Sequence, residues 1–183
     1  MNTSLFKSYL KPIWGSWVSN DFDSAAEAIA TAYEIANIGS AKTFFGSTLI
    51  YGNKQILKNF LKIGFQLNYS LTVKTPPTVV ESGYTMFATG FCLYWIGSQF
   101  TPFPPMPPMF APAPGTNVIF PGVPIGFDKS IKIALEGDDV NTILDKLCSV
   151  LLIHKLTITG IYSGIAPAFP SPIPLLLPWK TLF

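Results

Sequence analysis

Between Phe100 and Pro124 the chain carries prolines at Pro102, Pro104, Pro105, Pro107, Pro108, Pro112, Pro114, Pro121 and Pro124, with no charged residue among them. Proline fixes φ and removes the amide donor, so this run can be neither a helix nor a central strand. It is expected to be extended, largely polyproline II, with Phe100, Phe103, Met106, Met109, Phe110 and Phe120 projecting from it. A solvated linker would carry Ser, Gly, Glu or Lys between its prolines. Aromatic rings and methionines in their place predict that the segment lies on protein.

The tail repeats that composition. Residues 166–183 contain Pro167, Pro170, Pro172, Pro174 and Pro178 among Leu175, Leu176, Leu177 and Trp179. Two proline–apolar arms on one body predict docking on a neighbour. The side chains expected to carry it are Phe103, Met106, Met109, Phe110 and Phe120 in the first arm, with Leu176 and Trp179 in the tail.

The rest of the chain reads as helical. Ser24 followed by Glu27 fits a capping box and predicts a helix from about Ser24 to Ile38, with Phe22, Ala26, Ile29, Tyr33 and Ala36 on one face. Asn53 caps a second, to about Leu67. It carries Ile56, Phe60, Ile63 and Leu67 on one side and Lys54, Lys58 and Lys62 on another; the lysine ridge reads as a solvated face rather than a phosphate or headgroup site. Thr78 and Glu81 form a second capping box for a third helix to about Gln99, in which Gly83, Gly90 and Gly97 recur every seventh residue and predict a close-packed seam. Asp138 and Asp139 open the last helix, to about Tyr162. Segments 116–120 and 131–135 read as short strands or extended pieces, and 1–20 as an extended lead-in that docks Trp14 and Trp17. The predicted fold is mainly α: about four helices, minor extended or β segments and two Pro-rich arms. The parts are a helical body at 1–99 with an N-terminal Trp segment, the Pro-rich arm at 100–127, a last helix completing the body at 128–165, and the apolar tail at 166–183.

Charge narrows the function. Charged residues make up 12% of the chain, about half the roughly 25% of soluble proteins, and mean hydropathy is +0.38. Such a chain buries its surface in an oligomer or against lipid, and no stretch of roughly 20 uninterrupted apolar residues favours lipid. Net charge is +2 and every basic residue is Lys; without Arg or a basic cluster, nucleic acid is not the expected partner. The first ten residues lack the layout of a secretory signal. Cys92 and Cys148, far apart in apolar runs, read as buried thiols.

No residue constellation identifies a reaction. His154 is the single histidine, which leaves no His-based zinc set. Cys148 and His154 lie six positions apart, roughly 240° around a helix, so the two face different directions. Phosphate-binding glycine loops and a nucleophile elbow are missing. The expectation is a non-enzyme with no cofactor and no metal.

One resemblance is carried by motif order. Ala32 and Tyr33 in an alanine-rich helix precede Gly52 and Asn53. Tyr94, Trp95 and Gly97 then lead into Phe103 and Pro104, and into Ala113, Pro114 and Gly115. Pro121, Gly122 and an apolar helix follow. This order resembles small virion structural proteins of tailed bacteriophages, in particular myophages. The resemblance implies a structural subunit of baseplate, tail, neck or capsid surface, assembled in the host cytoplasm. Its partners would be other virion proteins or copies of itself, and it would carry no catalytic residues. The alternative from another class is a membrane-associated protein with Trp14, Trp17 and Trp179 at the interface. A carrier of a small apolar ligand is a third class, without a specific signal in the sequence.

Overall fold

The computed structural model describes residues 1–14, 21–43, 46–72, 81–101, 111–120, 124–136, 139–166 and 173–180; for 69–72, 81, 111–120, 162–166 and 173–180 it describes the backbone alone. The fold is mainly helical. Among the described residues it has six helices rather than about four: α1 (Thr3–Leu10), α2 (Phe22–Asn37), α3 (Lys54–Thr72), α4 (Glu81–Leu93), α5 (Phe127–Leu135) and α6 (Val140–Leu156). Five strands accompany them: β1 (Leu49–Tyr51), β2 (Gln99–Phe100), β3 (Ala111–Phe120), β4 (Thr159–Ala166) and β5 (Ile173–Lys180).

Two of the helices replace segments read as extended. In α1, Asn2 accepts from the Leu5 amide at 3.1 Å, and Phe6 and Leu10, one turn apart, are buried. In α5 the buried positions Phe127, Ile131 and Ala134 fall on one helical stripe, where alternation had been read. The α2 cap also differs: Asp21, not Ser24, is the N-cap, its carboxylate accepting from the Ser24 amide at 3.1 Å. Asn53 caps α3 as expected, accepting from the Ile56 amide at 3.2 Å; of the two aspartates read at the start of α6, Asp139 is the N-cap, accepting from the Thr142 amide at 2.9 Å.

The core is built on α4 and the turn after it. Trp95, Tyr94 and Tyr33 are fully buried and pack edge-to-face, with Tyr33 5.0 Å from Phe91 and 4.8 Å from Tyr94. Helix α3 lies against α4 through a glycine seam. A methyl on Gly83 would come within 2.8 Å of the Gly64 carbonyl, and one on Gly90 within 2.8 Å of Phe60 Cβ. Gly97, the third member of the seven-residue series, is not in the seam. Helix α4 ends at Leu93, short of Gln99, and Gly97 takes φ +73° in the turn into β2, a conformation glycine adopts without the Cβ penalty.

The lysine ridge of α3 faces α2. Lys54 pairs with Glu27 at 2.8 Å, Lys58 with Asp23 at 2.9 Å and Glu27 at 3.2 Å, and Lys62 with Asp23 at 2.9 Å. The lysine hydrogen bonds hold the Asp23 and Glu27 carboxyls below their ordinary values and raise Lys54 and Lys58. Depressed carboxylates contribute stability that is present above their unfolded values and lost as pH falls through the folded ones. Acid unfolding followed by circular dichroism should therefore begin below the ordinary carboxylate range, and Lys58→Met should flatten the acid limb. An unchanged limb would show the ladder to be energetically neutral.

Past α6 the chain departs from the expected helix. The helix stops at Leu156, with the Thr157 hydroxyl donating to the His154 carbonyl at 2.7 Å, and β4 follows. The β-branched residues Thr157, Ile158, Thr159 and Ile161 favour a strand. Residues 128–165 thus hold most of α5, all of α6 and most of β4.

Candidate assembly surface

The two Pro-rich segments meet in one antiparallel sheet of order β3-β4-β5. Phe120 and Lys180 flank Thr159, and Ile119 and Trp179 flank Gly160. Leu176 stands opposite Ser163. Phe120, Leu176 and Trp179, chosen from composition, therefore share a sheet, although more than fifty residues separate the first from the others. Phe103, Met106, Met109 and Phe110 lie outside the described residues. The described parts of both arms are strands rather than polyproline II.

Prolines fit this sheet because they sit on its outer strands: Pro112 and Pro114 in β3, Pro174 and Pro178 in β5. Proline has no amide to give β4, so its nitrogen must face outward. Amide directions alternate along an antiparallel strand, so Pro174 and Pro178, four residues apart, remove two donors from the same outer edge. The loss of two donors weakens addition of a further strand at that edge. Among the described residues, no helix packs extensively across it.

A second surface lies on α5 and α6. Ile133 and Ile153 are 62% and 65% exposed, Ile125 is fully exposed and Leu156 half exposed. Ser130 and Val150 are shared by two adjoining hollows. One runs past Ile133 to Asp145 and Lys146; the other runs past Pro124, Ile125 and Ile153. Ile125, Ile133 and Ile153 were not among the docking residues expected from the sequence. The signal was present: Ile133 falls beside Lys129 and Lys132, off the stripe of Ile131 and Ala134.

Beneath this face, His154 stacks on Phe127 with ring centroids 4.3 Å apart, and its Nε2 lies 3.3 Å from Cys92 Sγ. The sequence had weighed His154 against Cys148, and the histidine meets the other cysteine. Burial pushes the Cys92 thiol up to about 12 and Cys148 up to about 11. Both are therefore thiols at neutral pH, not thiolate nucleophiles. At the base of α1, the α-amino group of Met1 lies against buried Lys155. Burial, helped by that neighbour, lowers the amine to about 5, and burial lowers Lys155 as well.

Among the described residues, no group of three or more His, Cys, Asp or Glu side chains could hold a metal ion, and no helix is long and apolar enough to cross a membrane. No family model matches the chain, and neither a curated protein sequence nor a solved structure is significantly similar to it.

Proposed function

We propose that the protein is a non-enzymatic structural subunit of a phage virion, in the baseplate, tail, neck or capsid surface, that docks on other virion proteins or on copies of itself. The observation that carries this reading is the α5–α6 face. The body already has a full core around Tyr33, Phe91 and Trp95, yet it leaves Ile125, Ile133 and Ile153 in solvent above two hollows. Exposed aliphatics clustered over a hollow are characteristic of interaction surfaces. The sheet of β3, β4 and β5 adds a second apolar sequence element, with two amide donors missing from its β5 edge. The motif order that resembles myophage structural proteins supplies the kind of assembly.

Ile133→Lys combined with Ile153→Lys tests the reading. Both side chains are already largely exposed, so helical circular dichroism and the unfolding midpoint should stay as in the parent. Self-association, or incorporation into particles when co-expressed with the neighbouring virion proteins, should be lost. Association equal to the parent's would remove this face from the docking surface.

A further inference from the structure

A cavity of about 280 Å³ lies where α2, α3, α4, α5 and α6 converge. Buried Phe87, Phe91, Ile131 and Leu147 form its inner wall. Phe65, Tyr84 and Leu135, each half-buried, stand where it approaches solvent. The rings brace one another: Phe65 and Phe87 are 4.9 Å apart at 63°, and Tyr84 and Phe87 are 5.9 Å apart at 82°. Such edge-to-face packing gives the wall a fixed shape.

Among the described residues, one member of the wall is neither aromatic nor aliphatic. It is Asn68, whose Oδ1 is packed into the α3–α4 seam against Gly83. A water needs two to four polar partners to settle in a cavity, and this wall does not gather them. An empty space of this size is unusual in a native core, which is close-packed with few voids larger than a water molecule. Its lining forfeits dispersion contacts that a filler restores. An apolar cavity of about 150 Å³ in another protein takes up benzene, so this volume has room for a second ring. The lining also favours a flat ring over an aliphatic chain. A ring placed among Phe65, Tyr84, Phe87 and Phe91 gains edge-to-face contacts beyond the area it buries.

We propose that the cavity binds a compact aromatic molecule of one or two fused rings with no hydrogen-bond donor. Ring packing supplies the affinity, and the apolar wall supplies the selection: a donor brought in from water loses its hydrogen bonds and finds no replacement. None of the residues of the α5–α6 face lines the cavity, so the site is separate from that docking surface.

Titration of the methyl-labelled full chain with benzothiophene and with indole, followed by NMR, tests this. The two have nearly the same shape, but indole carries an N–H where benzothiophene has sulfur. Benzothiophene should bind one to one, with nuclear Overhauser effects from its ring protons to the methyls of Leu61, Ile131 and Leu147. Indole should bind about tenfold more weakly, the cost of one unpaired donor. Overhauser effects to Ile133 and Ile153 in place of those methyls would put the ligand on the outer face and overturn the proposal. So would indole binding as tight as that of benzothiophene, or no binding of benzothiophene at all.

Discussion

Trp95→Ala should destabilise the fold by about 3–5 kcal/mol, the range for removing a large buried aromatic from a core that cannot collapse around the void. Trp95 is fully buried, with its ring 5.1 Å from Tyr94 and 6.2 Å from Tyr33 in edge-to-face geometry. It sits in the turn after α4, its amide donating to the Cys92 carbonyl and its carbonyl accepting from the Ser98 amide, so the void would open where helix, turn and β2 meet. Urea unfolding of the variant beside the parent measures the loss. A loss under about 1 kcal/mol would place the core elsewhere. Tyr33→Phe is the control. The Tyr33 hydroxyl is buried beside the Trp95 indole and the Asn37 amide, with no hydrogen bond of good geometry to either. Removing an unsatisfied polar atom while keeping the ring should be close to neutral.

The second large effect belongs to Gly64. A methyl group there would run into the Phe87 ring and stand 2.7 Å from the Gly83 carbonyl, closer than real Cβ contacts come. Alanine in a helix interior normally gains about 1 kcal/mol over glycine. Here the gain is outweighed, because a backbone carbonyl cannot move aside as a side-chain tip can. Gly64→Ala should destabilise by about 2 kcal/mol net, within the range for overpacking, and should lower the thermal midpoint without changing the helical signal of the folded state. A raised midpoint would mean that α3 and α4 stand farther apart than described.

The physics of these two sites explains what the sequence made legible. The seven-residue glycine series pointed to a close seam, and Gly83 and Gly90 form it against α3. Spacing alone could not separate them from Gly97, which is glycine because of its positive φ. Helix periodicity was readable in α2, α3, α4 and α6, where several turns repeat the pattern. Only three buried positions mark α5, and Ile133 lies between two of them, so the same letters fit a strand. At Thr157 the helical spacing of apolar residues runs on into β4, because a strand can use those residues equally well. The β-branched residues favour a strand there only weakly by themselves; the strand is completed by pairing with β3 and β5, which are distant in the chain.

The candidate surface divides the same way. Composition marked the Pro-rich segments as docking elements, but it held no information that Phe120 and Trp179 stand on neighbouring rungs across β4. Pairing between distant segments is set by tertiary contacts, not by either segment. The exposed isoleucines of α5 and α6 became visible once the buried stripe of each helix was known. The lysine ridge is the opposite case. A regular four-residue spacing marked it and it was read as a solvated face, whereas it pairs with Asp23 and Glu27 of α2, and Glu27 had been read as part of a capping box.

The most direct test of the assembly role is light scattering on the full chain after size exclusion, with and without mild detergent. The account predicts a discrete oligomer without detergent, or a monomer that joins a defined particle when its virion partners are present, with no change on adding detergent. A chain that stays in solution only with detergent would contradict it and would favour association with lipid.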